Sequence, residues 1–346
     1  MNIYSVAIIQ PVLTKYRDPL FRNLSNIFGT HLTVFADTAS SDFGQMDGYA
    51  YEVKKAGFSR VMRYFLKPRS GFYKDVLNSR LIVHFADFKY ISLWCLILVC
   101  FFSNRKIFLH GQGGYKRKGL LHKITYNIIL TLSDGYICYS EFSAFHLKSV
   151  AANFLHRKIY VVDNSLYLQS KRIFGGDDVL YIGRLRTGCG IELLLEAALT
   201  VDLNVRVIGG GDHGFISELK KKYSNLIDYG TVFDEAQQFE IANDCFVGAY
   251  GGDAGLSVVH YMSYGLPVVV HSNLYKHMGP EPSYIKNGEN GLTFERGNVH
   301  SLANALLTLK NDKDLQQKLG LGALETFKQL NNPPMHEKFA KILGLI

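Results

Sequence analysis

Four stretches of this 346-residue chain set glycine, arginine or histidine where a phosphate or a sugar hydroxyl could be held. The densest is Tyr250–Gly265, YGGDAGLSVVHYMSYG, followed at once by Leu266-Pro267 and Val268-Val269-Val270. Gly251, Gly252 and Gly255 are expected to allow close backbone approach and positive φ. A glycine loop that opens a helix offers backbone N–H groups and the positive end of the helix dipole, an arrangement suited to an anion such as phosphate. Tyr181-Ile182-Gly183-Arg184-Leu185 puts an arginine at the carboxyl end of a strand, where its guanidinium can grip a diphosphate by paired N–H bonds. Val205–Ile208 leads into Gly209-Gly210-Gly211-Asp212-His213-Gly214, formally G-x-G-x-x-G with Asp228 beyond it, as in dinucleotide sites. His110 closes the run KIFLHG ahead of Gln112, Gly113 and Gly114. Its imidazole can donate or accept a proton near neutral pH. Each stretch taken alone fits an ordinary loop of an α/β domain.

The elements that would carry these residues alternate. SVAIIQPV, LTVFAD, RLIVHF, KIFLHG, DGYICYS and KIYVVDNS read as strands of a first half, with helical stretches between several of them. DVLYIGR, NVRVIGG, CFVGAY and LPVVVH read as strands of a second half, and Asp228–Val232 as a short strand and turn. Ile191, Leu194, Leu195 and Ala198 share one face of a helix after Gly190. Further helices are expected from Phe215 and over Asp234–Ala242. In the dense loop region, Leu256, Val259, Met262 and Ser263 recur at helical spacing, and Gly265 ends that helix. Alternating strands and helices predict parallel sheets covered on both faces, with ligands at the carboxyl ends of the strands. The polar segment Asp163–Phe174 marks a boundary. It gives domains at 1–165 and 166–330, with a last helix, Met335–Leu343, in the remainder 331–346 after Asn331-Asn332-Pro333-Pro334.

Composition excludes a disordered chain: 47% of residues are hydrophobic and 20% charged. Five cysteines, odd in number and with no C-x-x-C, argue against a disulfide framework or a zinc site. The opening MNIYSVAIIQPV reads as a strand and not as a signal peptide. Charge is uneven. Residues 1–160 hold 21 Lys/Arg against 9 Asp/Glu, or +12, while the whole chain is +8, which leaves −4 for the remainder. Basic residues cluster at Arg60, Arg63, Lys67 and Arg69, at Arg105 and Lys106, and at Lys116, Arg117 and Lys118, with Phe58, Tyr64, Phe65, Phe72 and Tyr73 among the first of these groups. A basic, aromatic-rich half suggests an anionic surface: bilayer headgroups, a lipid pyrophosphate or nucleic acid. The uncharged run Ile91–Phe102, ISLWCLILVCFF, has 12 residues. That is short of the roughly 20 a spanning helix needs, so a buried helix touching a membrane interface is predicted instead.

Taken in order, these pieces resemble the retaining glycosyltransferases of the large family-4 type, with the GT-B fold. The resemblance covers Val179 to about Lys310 well and the first half loosely. Tyr181–Leu185 is similar to the family's "GRL" strand end and Gly190–Ala197 to the helix after it. Ile208–Gly211 is similar to its "iGxG" turn, and Gly230 to its "GxV" segment. Gly255-Leu256 and Gly265–Val268 resemble the donor loop and the strand beyond, and Asn287–Leu292 its "dGxNGll" turn. The resemblance implies two Rossmann-like parallel-sheet domains facing a cleft and a C-terminal helix crossing back. It implies a nucleotide-sugar donor on the second domain, with the acceptor on the first.

Carried over residue by residue, it implies catalytic roles for His110 and Arg184. Donor contacts would come from Gly183, Arg186, Gly210, Gly211, Gly230 and Val232. They would also come from Gly252, Asp253, Ala254, Gly255, Leu256 and Ser257, and from His260 and Glu281. Tyr16, Arg17 and Gln112 fall on the acceptor side. Two departures stand out. The family's E-x7-E carboxylates fall on Gly252 and His260, and its lysine after "GRL" falls on Cys189. His260 can still hydrogen-bond a hydroxyl or phosphate, and Arg186 can supply the cation. The stretch LSVVHYMSYGLPVVVHSN, with GPE beyond it, resembles a subgroup of bacterial surface-polysaccharide transferases that places His at this position, and a decayed, non-catalytic copy is the other reading.

In mechanism, charge developing on the leaving diphosphate would be met by Arg184, Arg186 and helix N-termini. No metal and no cofactor is expected. The expected partners are a nucleoside-diphosphate sugar, a glycan or lipid-linked acceptor and an anionic membrane, and not nucleic acid. The expected location is cytoplasmic, peripheral on the inner face of the cell membrane. Two other classes stay open: an NAD(P)-dependent oxidoreductase using GGGDHG with Asp228 on the ribose, and a non-catalytic membrane-associated protein.

Overall fold

A computed structural model of the chain describes residues 5–38, 48–61, 63–171, 173 and 175–344. Residues 1–4 of the expected first strand, and Arg172 and Phe174 of the expected boundary segment, lie outside the described residues. The chain divides into two compact units, Met1–Asn164 with Pro333–Ile346, and Ser165–Asn332.

The N-terminal unit is built on a seven-stranded parallel sheet. Its strands are β1 (Val6–Leu13), β2 (Leu32–Thr38), β3 (Glu52–Lys55), β6 (Leu81–Phe85), β7 (Lys106–Gly111), β8 (Gly135–Cys138) and β9 (Ile159–Val161). They run in the order β3-β2-β1-β6-β7-β8-β9, and an antiparallel pair, β4 (Ser59–Val61) and β5 (Phe65–Lys67), stands apart. The central strands are short apolar runs because helices cover both faces of a parallel sheet; LIVHF in β6 is buried throughout. The edge strand β3, EVKK, escapes a reading by hydrophobicity, since charged side chains are what an edge tolerates. KIYVVDNS yields only three strand residues in β9.

Helices α1 (Asp18–Phe28), α2 (Phe72–Val76), α3 (Ile91–Phe101), α4 (Leu120–Leu132) and α5 (Glu141–Val150) join these strands. Helix α3 is the uncharged run. It buries Leu93, Leu96, Ile97 and Cys100 and leaves Leu98, Val99 and Phe101 exposed. No helix among the described residues is long and apolar enough to cross a membrane. The last helix, α12 (Met335–Ile342), packs on α1. It is tied down where Lys338 Nζ meets Asp163 at 3.0 Å and Arg17 Nη1 meets the Met335 sulfur at 3.7 Å.

The C-terminal unit holds a six-stranded parallel sheet in the order β12-β11-β10-β13-β14-β15. Its strands are β10 (Asp178–Ile182), β11 (Val205–Ile208), β12 (Leu226–Asp228), β13 (Cys245–Ala249), β14 (Val268–His271) and β15 (Gly291–Phe294). The chain starts in mid-sheet at β10, moves outward through β11 and β12, then returns to the other side of β10 with β13. The crevice at the carboxyl ends of β10 and β13 is therefore a topological switch point, where ligands of such sheets bind. Helices α6 (Ile191–Leu199), α7 (His213–Lys222), α8 (Glu235–Asn243), α9 (Ser257–Ser263), α10 (Val299–Asn311) and α11 (Lys313–Leu330) cover the sheet.

Two expectations shift. The strand placed at Asp228–Val232 ends at Asp228, because Gly230 takes a φ of +65° and turns the chain out of the sheet. β15 was not foreseen: four residues behind a turn are too few to show a period. At the end of α9, Gly265 at φ +63° stops the helix as expected.

Candidate functional site

At the carboxyl ends of β10, β11 and β13 three loops meet backbone to backbone. Gly183 N donates to the Ile208 carbonyl at 3.0 Å, Leu185 N to the Gly210 carbonyl at 2.8 Å, and Asp212 N back to the Leu185 carbonyl at 3.1 Å. These bonds extend the β10–β11 pairing past both strand ends. A Cβ on Gly209 would collide with the Gly183 carbonyl, and one on Gly211 with the Leu185 carbonyl. Across the switch point, a Cβ on Gly190 would strike the backbone of Gly252, one on Gly251 the Gly190 carbonyl, and one on Gly252 the Cys189 carbonyl. The result is a shelf of main chain with no room for side chains.

The expected positive φ is not found at Gly251, Gly252 or Gly255. Gly251 and Gly252 are glycine because a Cβ would have nowhere to go. Gly255 is in open surroundings, with its nearest prospective neighbour 3.8 Å away. Gly190 has both constraints: its φ is +82° and it lies against Gly252. The two departures from the resemblance, Cys189 and Gly252, therefore touch each other.

Helix N-termini around the shelf differ from their neighbours. Asp212, Asp234, Asn298 and Asp312 cap α7, α8, α10 and α11, each accepting from a backbone N–H in the first turn. Helix α6 opens at Gly190 without a side-chain cap. Its first-turn N–H groups have no side-chain acceptor and can meet an anion, although Glu192 adds a carboxylate to that turn. The GGGDHG turn is different, because Asp212 already caps the start of α7. Asp228 is engaged as well. It pairs with Lys220 at 2.9 Å and accepts from the Gly230 N–H at 2.9 Å. The chain also has one Asp-x-Asp, Asp312-Lys313-Asp314, away from the glycine loops, and its first carboxylate serves as the α11 cap.

The side chains at the shelf fall into two groups. Arg184 and Arg186 are exposed beside it, and Arg186 Nη2 lies 3.5 Å from the Met278 sulfur. Gly210 lies under Thr231, and Val232 is buried. Ala254 is buried, and Leu256 and Ser257 are half-buried where α9 begins. Glu281, buried at the start of a short 3-10 turn, brings its Oε2 to within 3.9 Å of where a Gly255 Cβ would be. His260 is half-buried in α9. Burial pushes its pKa down to about 4, and its Nδ1 has no hydrogen-bond partner among the described residues.

Asp253 is not directed to a ligand alone. Arg296 holds it through Nε at 2.9 Å and Nη2 at 3.2 Å, and His271 Nε2 donates to it at 3.0 Å. Burial by itself would raise this carboxyl's pKa, but the bonds from Arg296 and His271 outweigh that and hold it low. Behind it, Ala254 N donates to His277 Nδ1 at 3.0 Å, and His277 Nε2 donates to the His271 carbonyl at 2.9 Å. His271, His277 and Arg296 were missed in the sequence. The available signal was His271 itself, a polar residue closing a strand that is otherwise all valine.

In the N-terminal unit, His110 is the last side chain of β7, just before Gly111, and is buried. Its ring lies 4.5 Å from that of Tyr139 and 4.9 Å, edge-on, from Phe339 of α12. Burial, with Arg17 nearby, pushes its pKa down to about 3, and Nε2 has no hydrogen-bond partner among the described residues. The imidazole is neutral, and that nitrogen is buried. Of the expected acceptor-side residues, Tyr16 is exposed and Gln112 half-buried. Arg17 is committed: it donates to Asn164 and reaches Met335.

Residues 176–312 match the family described as glycosyl transferases group 1. An uncharacterized glycosyltransferase of Methanocaldococcus jannaschii is 24% identical over 240 residues, which are 64% of this chain. The match spans 63% of that relative, less than two thirds of its length. Among solved structures, HepE of Anabaena in complex with UDP and glucose aligns over 99% of this chain and 100% of its own, with a TM-score of 0.69 at 14% identity. WaaG, a glycosyltransferase involved in lipopolysaccharide biosynthesis, aligns over 98% and 99% with a TM-score of 0.66 at 12% identity. The fold is thus that of the GT-B glycosyltransferases: two Rossmann-like α/β domains with parallel sheets.

Proposed function

We propose that this protein transfers a sugar from a nucleoside-diphosphate sugar to a glycan or lipid-linked acceptor in the building of a bacterial surface polysaccharide. The observation that carries the reading is the side-chain-free shelf at the carboxyl ends of β10, β11 and β13, within the stretch that matches glycosyl transferases group 1. A diphosphate needs close approach to main-chain N–H groups and a nearby cation. Glycines at every contact permit the first, and Arg184 and Arg186 beside the shelf supply the second. The UDP and UDP-glucose held by HepE support a nucleotide-sugar as the donor class.

The chemistry follows from charge. As the bond between sugar and diphosphate breaks, negative charge grows on the leaving oxygen. Arg184, Arg186 and the uncapped start of α6 stabilise that charge more than they stabilise the ground state. His260 and Glu281 contact the donor's hydroxyls. His110, neutral at physiological pH, hydrogen-bonds the sugar and does not carry charge to it. Tyr16 and Gln112 face the acceptor. Transfer proceeds with retention and without a metal ion or cofactor. The enzyme acts in the cytoplasm, at the inner face of the cell membrane where a lipid-linked acceptor is held. An oxidoreductase reading is disfavoured because Asp228, its ribose ligand, is already bound to Lys220 and Gly230.

Calorimetry with UDP, GDP, their sugars and NAD⁺ tests the donor class. Binding of one nucleotide-sugar and not NAD⁺ is expected. Binding of NAD⁺ alone, or of nothing, would overturn the reading. NMR of the product's anomeric proton tests retention, and unchanged transfer after EDTA treatment tests metal independence.

A further inference from the structure

Helix α4 carries two apolar faces. Tyr126, Ile129 and Leu130 point into the core of the N-terminal unit. At 100° per residue, Leu120, Leu121, Ile124 and Ile128 fall on the opposite side of the same helix, away from that core. Those four, with Phe145 of α5 and Phe154 of the short turn after it, are 45% to 79% exposed. Single exposed apolar residues are ordinary, but six in one region need an occupant. Between α4 and α5 lies an open groove of about 1040 Å³, lined by Leu120, Ile124, Ile128 and Phe145 and flanked by Lys123 and Lys148.

The surroundings say what that occupant is. Residues 115–158 hold seven Lys/Arg against two Asp/Glu. Lys116, Arg117 and Lys118, all exposed, lie immediately before α4, and Arg157 follows Phe154. An apolar stripe bordered by cations matches a lipid monolayer with anionic headgroups: the side chains enter the acyl boundary and the cations stay with the phosphates. Lys123 and Lys148 are suited to this because their long stems can lie along apolar surface while the ammonium stays in water.

We propose that the outer face of α4, with Phe145 and Phe154, is the surface by which this protein docks on an anionic membrane. The exposed side of the run Ile91–Phe102, with Leu98, Val99, Phe101 and Phe102, is the competing surface. The proposal rests on the membrane location given above. It also accounts for placing a lipid-linked acceptor, because the Lys116–Lys118 run joins the docking face to the loop that follows His110.

The test is sedimentation of the full chain with phosphatidylglycerol vesicles and with phosphatidylcholine vesicles, at low and high salt. Three proteins are compared: the native chain, the triple variant Leu121→Ser/Ile124→Ser/Phe145→Ser, and a control, Leu98→Ser/Phe101→Ser, on α3. All the altered side chains are exposed, and circular dichroism checks folding. The native chain and the control are expected to bind phosphatidylglycerol more strongly than phosphatidylcholine, and less so in high salt. The triple variant is expected to lose at least about tenfold in partitioning, because three apolar anchors are gone. Equal binding by the triple variant, or loss in the α3 control alone, overturns the assignment of the surface. No binding by the native chain overturns membrane docking itself. A native dimer in solution that the triple variant disperses, with no vesicle binding, assigns the face to a second copy and overturns the proposal. Nucleotide-sugar calorimetry on the same three proteins reports on the donor reading independently.

Discussion

The imidazoles of His271 and His277 lie face to face, with ring centroids 3.6 Å apart and planes 2° from parallel. His277 accepts from the Ala254 N–H at Nδ1, so its proton is on Nε2, where it donates to the His271 carbonyl. His271 in turn donates from Nε2 to Asp253. Two imidazolium ions could not remain at this separation in a buried setting, and burial lowers the His271 pKa. The pair is a neutral brace beneath the Asp253-Ala254 stretch of the glycine-rich loop before α9. His277→Phe keeps a flat ring on His271 but leaves the buried Ala254 N–H without its acceptor. The expected cost is about 1–3 kcal/mol by urea denaturation, with a raised KM for the nucleotide-sugar. Full stability with unchanged KM would show that the loop needs no brace.

Arg184→Ala is expected to lower kcat/KM by about 2–4 kcal/mol of transition-state stabilisation, the usual effect of removing one preorganised donor. The protein should remain folded, because Arg184 is exposed beside the shelf. Near-native turnover by a folded variant would take the leaving-group role away from this residue.

His260 separates two roles. With Nδ1 enclosed and a pKa pushed down to about 4, it is neutral and can exchange one hydrogen bond with a ligand. If it takes the place of a donor-binding carboxylate, His260→Ala weakens nucleotide-sugar binding by calorimetry while the melting temperature changes little. A clear fall in melting temperature with native affinity would make it a packing residue.

Stability should depend on pH in a definite direction. Burial pushes His84 and His260 down to about 4 and His110 to about 3, against an unfolded value of about 6.5. Between those values the unfolded chain binds more protons than the native one. The stability these neutral histidines provide is therefore complete above about pH 6.5 and is lost as pH falls toward about 4. Urea denaturation at pH 7.5, 6.0 and 5.0 should show a progressive decline. A flat profile would mean that these rings protonate as readily in the folded protein as in the unfolded chain.

Hydrophobic runs revealed the central strands of both sheets, because a strand covered on both faces has to be apolar along its length. β3 and β15 stayed hidden for opposite reasons: one is charged, as an edge permits, and the other is too short to show a period. At the candidate site the loops were legible and their connections were not. Arg296 reaches Asp253 across 43 positions of sequence, and Phe339 covers His110 from the far end of the chain. Neither pairing leaves a local mark. Of the two properties expected of Gly251 and Gly252, close backbone approach holds and a left-handed backbone does not. Contact with another loop excludes a Cβ there, and only the folded chain displays that contact.

The seam between Cys189-Gly190 and Gly251-Gly252 has a consequence for how this protein can change. A side chain at Gly190, Gly251 or Gly252 would strike main-chain atoms of the facing loop, which no substitution there removes, so these positions can change only if the backbone itself moves. A lineage, or an engineer, working one position at a time meets a barrier at the centre of the crevice. Freedom remains at the margin, where Arg186 and Met278 touch through their side-chain tips and both are exposed. If the crevice holds the donor as proposed, preference among donors can be retuned at that margin one residue at a time while the centre stays fixed.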